Sequence, residues 1–312
     1  MTDILLSFSH EVLAGNGEDC FAVLKADGCY AMCVADGCGG LGSRRYPAFG
    51  DHTGAYAASR LAAQVFAEWA KECKAPRLPE DAKALEEALE KAFRTTAERD
   101  CVTQGIRITG SMQRRLPTTF CAAVTDEKSS RFLWAGDSRA YVLDAGGLHQ
   151  CTRDHLKGTP DPFENLYRDM PLSAYISADT PVKLSAAQVN LPDAPCAVIL
   201  ATDGAYSALP TPMEFEMLLW DALKSAKSWS AWQQKLQKAV SRIAQDDATM
   251  TIIPCGTADF LTFQQALLPR REALQKQFIT PVRRKKGDVE FARERWQEYR
   301  TTYDWTEEGR NG

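Results

Sequence analysis

The chain has 312 residues, 45% hydrophobic and 25% charged, which suits one large globular domain or two small ones with a substantial core. A formal net charge of −4 gives no bulk attraction for nucleic acid. The first residues, MTDILLSFSHEVL, lack a basic region ahead of an apolar stretch, and no window approaches the roughly 18 apolar residues of a membrane helix, so a soluble cytoplasmic protein without membrane association is expected.

CFAVLKADGCYAMCVAD, residues 20–36, reads as a hairpin, because two apolar runs flank the turn dipeptide Asp27-Gly28. From Thr53 to Lys71 the spacing predicts a helix with Ala58, Leu61, Ala62, Val65, Phe66 and Trp69 on one face. Pro76 and Pro79 break it, and Glu80 to Cys101 forms a second helix with Leu85, Leu89 and Phe93 in steps of four. Strands follow at TTFCAAVTD, SRFLWAGD, RAYVLDAGG and LHQCT. Residues 154–185, rich in Pro, Asp and Ser, show no clean period. CAVILATD reads as a buried strand, Met213 to Lys224 and Trp229 to Ala244 as helices, and ATMTIIP as the closing strand. Two groups of strands, with two helices between them and two after, do not alternate as in a parallel βαβ sheet. An α+β arrangement of two antiparallel sheets packed face to face, with helices outside, is expected.

The ten cysteines include no Cys-x-x-Cys pair, and His10, His52, His149 and His155 do not stand at zinc-ligand spacing from them. Cys29, Cys33, Cys121, Cys151 and Cys196 fall in or beside predicted strands, where a reduced cysteine acts as a small hydrophobe. Free thiols in a reducing cytosol are therefore expected. Near the C-terminus, the basic run Arg283-Arg284-Lys285-Lys286 reads as a solvated turn before a helix. Val289, Ala292, Trp296, Tyr299 and Tyr303 then line one helix face, a stripe expected to pack on the chain's own domain, with a partner-docking face as the alternative.

Four short acidic turns bracket apolar strands: VADGCGG (34–40), WAGDSRAY (134–141), LATDGAYS (200–207) and QDDATMTII (245–253). A single Asp-Gly is most simply a turn. Together, carboxylates at the ends of rigid strands can converge on a cation, and their oxygens suit magnesium or manganese. The set, its order and a fifth piece, GEDCF (17–21), resemble the metal-dependent Ser/Thr protein phosphatases, the PPM or type 2C family, in a bacterial style. The resemblance covers roughly residues 5–255 and implies an αββα sandwich, a domain set at residues 1–255; residues 256–312 lie beyond it and are expected to form a C-terminal helical extension.

It also implies site residues. Asp36 would bridge two manganese or magnesium ions, the Gly37 carbonyl would bind one of them, and Asp203 and Asp246 would complete the other's protein ligands. Glu18 and Asp19 would hold metal-bound waters, and Asp137 with Asp203 a third, weaker ion. A water activated by the two ions would hydrolyse phosphoserine or phosphothreonine in proteins without a covalent phospho-enzyme. Partners would be a phosphorylated protein, with a Ser/Thr kinase or its target as candidates. Asp247 is the neighbour that competes with Asp246 for the ligand role, and Ser138, Thr118 and Thr119 read as turn and strand residues.

Three departures from the family pattern stand out. Ala14 occupies the place of a phosphate-gripping Arg or Lys, leaving His10, Arg44, Arg45 or Lys157 as substitutes. Cys38 follows Asp36-Gly37 where some relatives carry a histidine, and LGSRRYPAFGDHTG is an insertion-like stretch near the cleft mouth. The alternative function is a catalytically weak phosphatase-fold module that regulates a partner. A phosphatase for a small phosphorylated molecule is a third reading.

Overall fold

The computed structural model describes residues 4–26, 28–72, 80–104, 115–158 and 170–305. One antiparallel sheet is formed by β2 (Cys20–Ala26), β3 (Cys29–Ala35), β6 (Phe120–Thr125), β7 (Ser129–Ala135) and β10 (Ser185–Asn190), in the order β10-β7-β6-β3-β2. The other comprises β1 (Leu6–His10), β8 (Arg139–Asp144), β9 (Gly147–Gln150), β11 (Cys196–Ala201) and β12 (Ala248–Cys255), in the order β1-β12-β11-β8-β9. A small pair, β4 (Arg45–Tyr46) and β5 (His52–Thr53), lies within the insertion-like stretch.

Alternation along the central strands builds three layers of core. In β3, Cys29, Ala31, Cys33 and Ala35 face the helices α1 (Gly54–Glu72) and α2 (Glu80–Gln104), while Tyr30, Met32 and Val34 face the other sheet. β11 does the same: Cys196, Val198 and Leu200 point between the sheets, and Ala197, Ile199 and Ala201 point outward. The outward side is covered by α3 (Pro212–Ser225), α4 (Trp229–Val240) and the C-terminal helices. The order of layers is thus the expected αββα. Leu85, Leu89 and Phe93 are buried as the four-residue steps require, whereas Leu61, Val65 and Trp69 are only half-buried at the border of the α1 face.

Beyond β12 the chain forms α5 (Phe260–Leu274), a wider π-type turn at Gln275–Ile279, α6 (Thr280–Arg284) and α7 (Val289–Tyr303). The basic run therefore begins in the last turn of α6, where Arg283 pairs with Glu214 of α3 at 2.8 Å. The stripe on α7 packs on the chain's own body: Ala292, Trp296, Tyr299 and Tyr303 are buried in the outer core. Val289 is a correction to the predicted stripe, since it is 49% exposed in the first turn beside the Asp288 cap.

A buried polar cluster ties these helices together. Glu216 of α3, with no exposed surface, accepts hydrogen bonds from Trp220 Nε1 (2.9 Å), Arg270 Nε (2.9 Å) and the Tyr299 hydroxyl (2.5 Å). The end of α7 is stitched to the edge strand β9. Tyr303 donates to Gln150 Oε1 (2.9 Å), and the Trp305 amide donates to the Gln150 carbonyl (3.1 Å).

The eight cysteines among the described residues are free thiols, five of them buried. The side chains of Cys73 and Cys101 lie outside the described residues, as do Asp27 of the predicted hairpin turn and the Pro76 and Pro79 helix break. Among the described residues, no helix is long and apolar enough to cross a membrane.

Candidate metal centre

Strand register brings the acidic turns to one end of both sheets. Cys20 pairs with Ala35, Phe120 with Ala135, Ala201 with both Arg139 and Met250, and His10 with Ala248. Asp19 therefore precedes β2, Asp36 follows β3, Asp137 lies between β7 and β8, Asp203 follows β11, and Asp246 precedes β12 at a shared edge.

Backbone bonds fix the turns. The Asp36 carbonyl accepts from the Thr119 amide and the Thr118 hydroxyl, both at 2.8 Å, and Thr119 Oγ1 lies 2.8 Å from Ser138 Oγ. The Thr118 hydroxyl and Thr119 Oγ1, which accepts from the Asp36 amide at 3.3 Å, hold main chain, while the Ser138 hydroxyl bonds the Thr119 side chain. Two glycines allow close approach: a Cβ on Gly37 would lie 2.5 Å from the Ala55 carbonyl oxygen, and one on Gly204 would lie 2.0 Å from that of Asp247. Asp203 opens a tight turn whose carbonyl accepts from the amides of Tyr206 and Ser207.

The two adjacent aspartates separate clearly. Asp247 accepts from the Val12 amide (2.8 Å) and the Glu18 amide (2.6 Å), so its carboxylate holds the N-terminal loop. Asp246 is exposed, and one of its oxygens accepts from the Asp247 amide. Glu18 in turn accepts from the Thr53 hydroxyl, and its carbonyl accepts from Ser59 Oγ. Asp19 is buried; its Oδ2 accepts from the Thr202 hydroxyl at 2.8 Å, and its buried Oδ1 has no hydrogen-bond partner among the described residues.

Electrostatics shows the convergence. Asp36 is held well above the usual carboxylate range, first by burial and then by repulsion from Asp203, Asp19, Asp137 and Asp246. Asp19 is also raised strongly by burial, with the Thr202 and Thr249 hydroxyls opposing and Asp203 and Asp247 adding. Asp137 is pushed up to about 7 by burial, then by Asp203 and Asp154, against the pull of Arg139. Burial raises Glu18 despite its bond from Thr53, with help from Asp247 and Asp246. Burial and then Asp36, Asp137 and Asp203 keep Cys38 a protonated thiol.

Crowded carboxylates of this kind fit hard divalent cations: every donor is oxygen, and only added positive charge relieves their repulsion. Among the described residues, no three His, Cys, Asp or Glu side chains are gathered into a ready-made cage. Magnesium-like ions keep several waters and take few carboxylates, so such a site does not need one.

Asp137 and Asp203 also line a cavity of about 640 Å³ that contains Arg139 and Arg153. None of the substitutes suggested for the phosphate grip, His10, Arg44, Arg45 or Lys157, is among its described lining residues, and Arg45 donates to the Asp51 carbonyl at 2.6 Å. Arg139 is structural: it grips Asp154 with two nitrogens (2.9 and 2.6 Å) and stacks over Tyr206, whose hydroxyl donates to the Asp137 carbonyl at 2.6 Å. Sequence reading missed Thr202 and Tyr206. Both flank the Asp203-Gly204 turn, and that adjacency was the available signal.

The protein phosphatase 2C family model matches residues 9–241. The chain belongs to the protein phosphatase 2C family. Its solved structural relatives include a bacterial serine phosphatase (16% identity, TM-score 0.62, covering 82% of this chain and 98% of that one). The serine/threonine phosphatase Stp1 from Staphylococcus aureus is 19% identical with a TM-score of 0.59, covering 81% and 94%. The serine/threonine phosphatase PstP/Ppp of Mycobacterium tuberculosis is 18% identical with a TM-score of 0.56, covering 80% and 97%. At such identities the likeness speaks for the phosphatase 2C fold, a two-sheet sandwich flanked by helices. No curated protein matches the chain in sequence.

Proposed function

We propose that this phosphatase 2C family member is a metal-dependent hydrolase of phosphoserine and phosphothreonine in proteins. The observation that carries the reading is the position of Asp36 at the strand end where the acidic turns meet, its carboxyl raised first by burial and then by four other carboxylates from four separate turns. Asp36, the Gly37 carbonyl, Asp203 and Asp246 would hold two manganese or magnesium ions. Glu18 and Asp19 would orient waters, and Asp137 would hold a looser third ion. When bound, the ions would supply the Lewis-acid charge that activates water and offsets charge on the phosphoryl oxygens.

The chain's own part is placement. Thr118 and Thr119 anchor the Asp36 backbone, Thr202 fixes one oxygen of Asp19, and Asp247 pins the loop that carries Glu18. Cys38, held as a thiol beside Asp36, is poorly suited to attack phosphorus and can at most donate a proton. The substrate would be a phosphorylated protein, a Ser/Thr kinase or its target, encountered in the cytoplasm. The test is hydrolysis of an aryl phosphate and of phosphothreonine peptides with manganese, beside Asp36→Asn. Manganese-dependent turnover that Asp36→Asn abolishes is expected; equal rates in the two proteins would refute the reading.

A further inference from the structure

The cavity beside the carboxylates has a wall that the family match does not include. Its lining joins Asp137 and Asp203 to Trp296 and Arg300 of α7, 55 and 59 residues beyond the end of the matched segment at residue 241. This wall is anchored to the site by a short relay. Tyr303 donates to Gln150, Gln150 Nε2 donates to Asp154 (3.1 Å), Asp154 pairs with Arg139, and Arg139 stacks over Tyr206, which holds the Asp137 carbonyl. The end of the C-terminal extension is thus built into the surroundings of the acidic cluster.

The charge of the lining is distinctive. Apart from Asp137 and Asp203, it carries three arginines (139, 153 and 300) against two aspartates (154 and 304). Arg139 is committed to Asp154, deep in the wall. Arg300 shares Asp304 at 2.6 Å, but both side chains are nearly half exposed, and such pairs exchange readily for another carboxylate. Arg153 is exposed; its carbonyl accepts from Trp134 Nε1, while its guanidinium makes no hydrogen bond or ion pair with the described residues. The volume, about 640 Å³, falls in the range of specific ligand clefts and exceeds what a phosphate alone needs.

We propose that this cavity is a recognition subsite for acidic side chains flanking the phosphorylated residue of a protein substrate, with Arg153 and Arg300 as their carboxylate partners. It rests on the phosphatase reading of the adjoining cleft. Guanidinium groups grip carboxylates with paired hydrogen bonds, and the largely buried Trp296 lines the same cavity. The extension then does more than cover the outer core: it sets which phosphoproteins are processed.

The test compares two phosphothreonine peptides that differ only in Glu or Gln at the flanking positions. For the full-length chain, kcat/KM should favour the acidic peptide by about tenfold, the factor that 1.4 kcal/mol carries. Arg153→Gln and Arg300→Gln should each shrink that preference through KM, and Arg153→Glu should invert it. Arg153 is exposed and unpaired among the described residues, so its variants leave folding intact. No preference in the unmodified chain, or the same preference in every variant, would overturn the subsite. Fluorescence anisotropy with the same labelled peptides separates the two readings. Acid-selective, Arg153-dependent binding without any turnover would sink the phosphatase reading alone. Turnover of an aryl phosphate without acid-selective binding would sink the subsite alone.

Discussion

Glu216→Ala is the perturbation whose outcome the packing specifies most sharply. The carboxylate has no exposed surface and receives Trp220 Nε1, Arg270 Nε and Nη2, and the Tyr299 hydroxyl. Removing it leaves the Arg270 guanidinium, whose side chain is 13% exposed, without its counter-charge, and strands two further donors. Breaking a buried ion pair from one side costs about 3–5 kcal/mol. Each orphaned donor adds about 1–3 kcal/mol if the site cannot relax. These contributions share one cavity and do not sum, so a loss of about 3–5 kcal/mol is expected, a large part of the ~5–15 kcal/mol that holds a typical domain folded. Urea denaturation, followed by tryptophan fluorescence, should show a lower midpoint with an unchanged slope. Replacing the cluster together, with Glu216→Leu, Arg270→Met and Tyr299→Phe, should recover most of the loss, because no charge or donor is then stranded. A loss below about 1 kcal/mol for Glu216→Ala would refute the claim that this cluster clamps the extension to the domain.

Truncation after Gly256 removes Arg270, Tyr299 and Trp296 at once, so it should lower the melting temperature and promote aggregation; an unchanged melting temperature would return the α7 stripe to a partner-docking role. The contribution of Asp36, Asp19 and Asp137 to the stability of the metal-free protein should be fully present only below the ordinary aspartate range and be lost as pH rises toward 7, because all three bind protons more tightly folded than unfolded. Manganese should therefore raise the melting temperature more at pH 8 than at pH 5, and the reverse order would contradict the cluster's electrostatics. Asp247→Ala should free the amides of Val12 and Glu18, cost about 1–3 kcal/mol, and speed hydrogen exchange at both positions. Unchanged exchange there would show that the loop is held by something else.

The fold was legible where period and burial agree. β3 alternates Cys and Ala toward the helices with Tyr, Met and Val toward the other sheet, and Leu85, Leu89 and Phe93 step along a true core face. β10 escaped because SAAQVN is an edge strand in which only Val189 is buried and the sequence shows no clear apolar–polar alternation. The helix from Phe260 was hidden by its internal Pro269, and α6 by the basic run at its own end. Acidic turns pointed to the candidate site, since carboxylates at strand ends leave a local pattern. The division of labour between Asp246 and Asp247 did not, because it depends on amides more than 200 residues away in sequence. Glu216 is invisible for the same reason: its partners Arg270 and Tyr299 lie 54 and 83 residues downstream. Arg153 stands just before the stretch without period, and only the folded chain brings it into one cavity with residues of α7.

Calorimetric titration of manganese into the full-length chain, beside Asp36→Asn, tests the account at its centre. Asp36 is the carboxylate against which the other turns converge. The account predicts two tightly bound ions in the unmodified protein and the loss of that binding in Asp36→Asn, with the melting temperature of the metal-free variant at or above that of the metal-free parent. Two ions bound equally well by both proteins, or none bound by the parent, would contradict it.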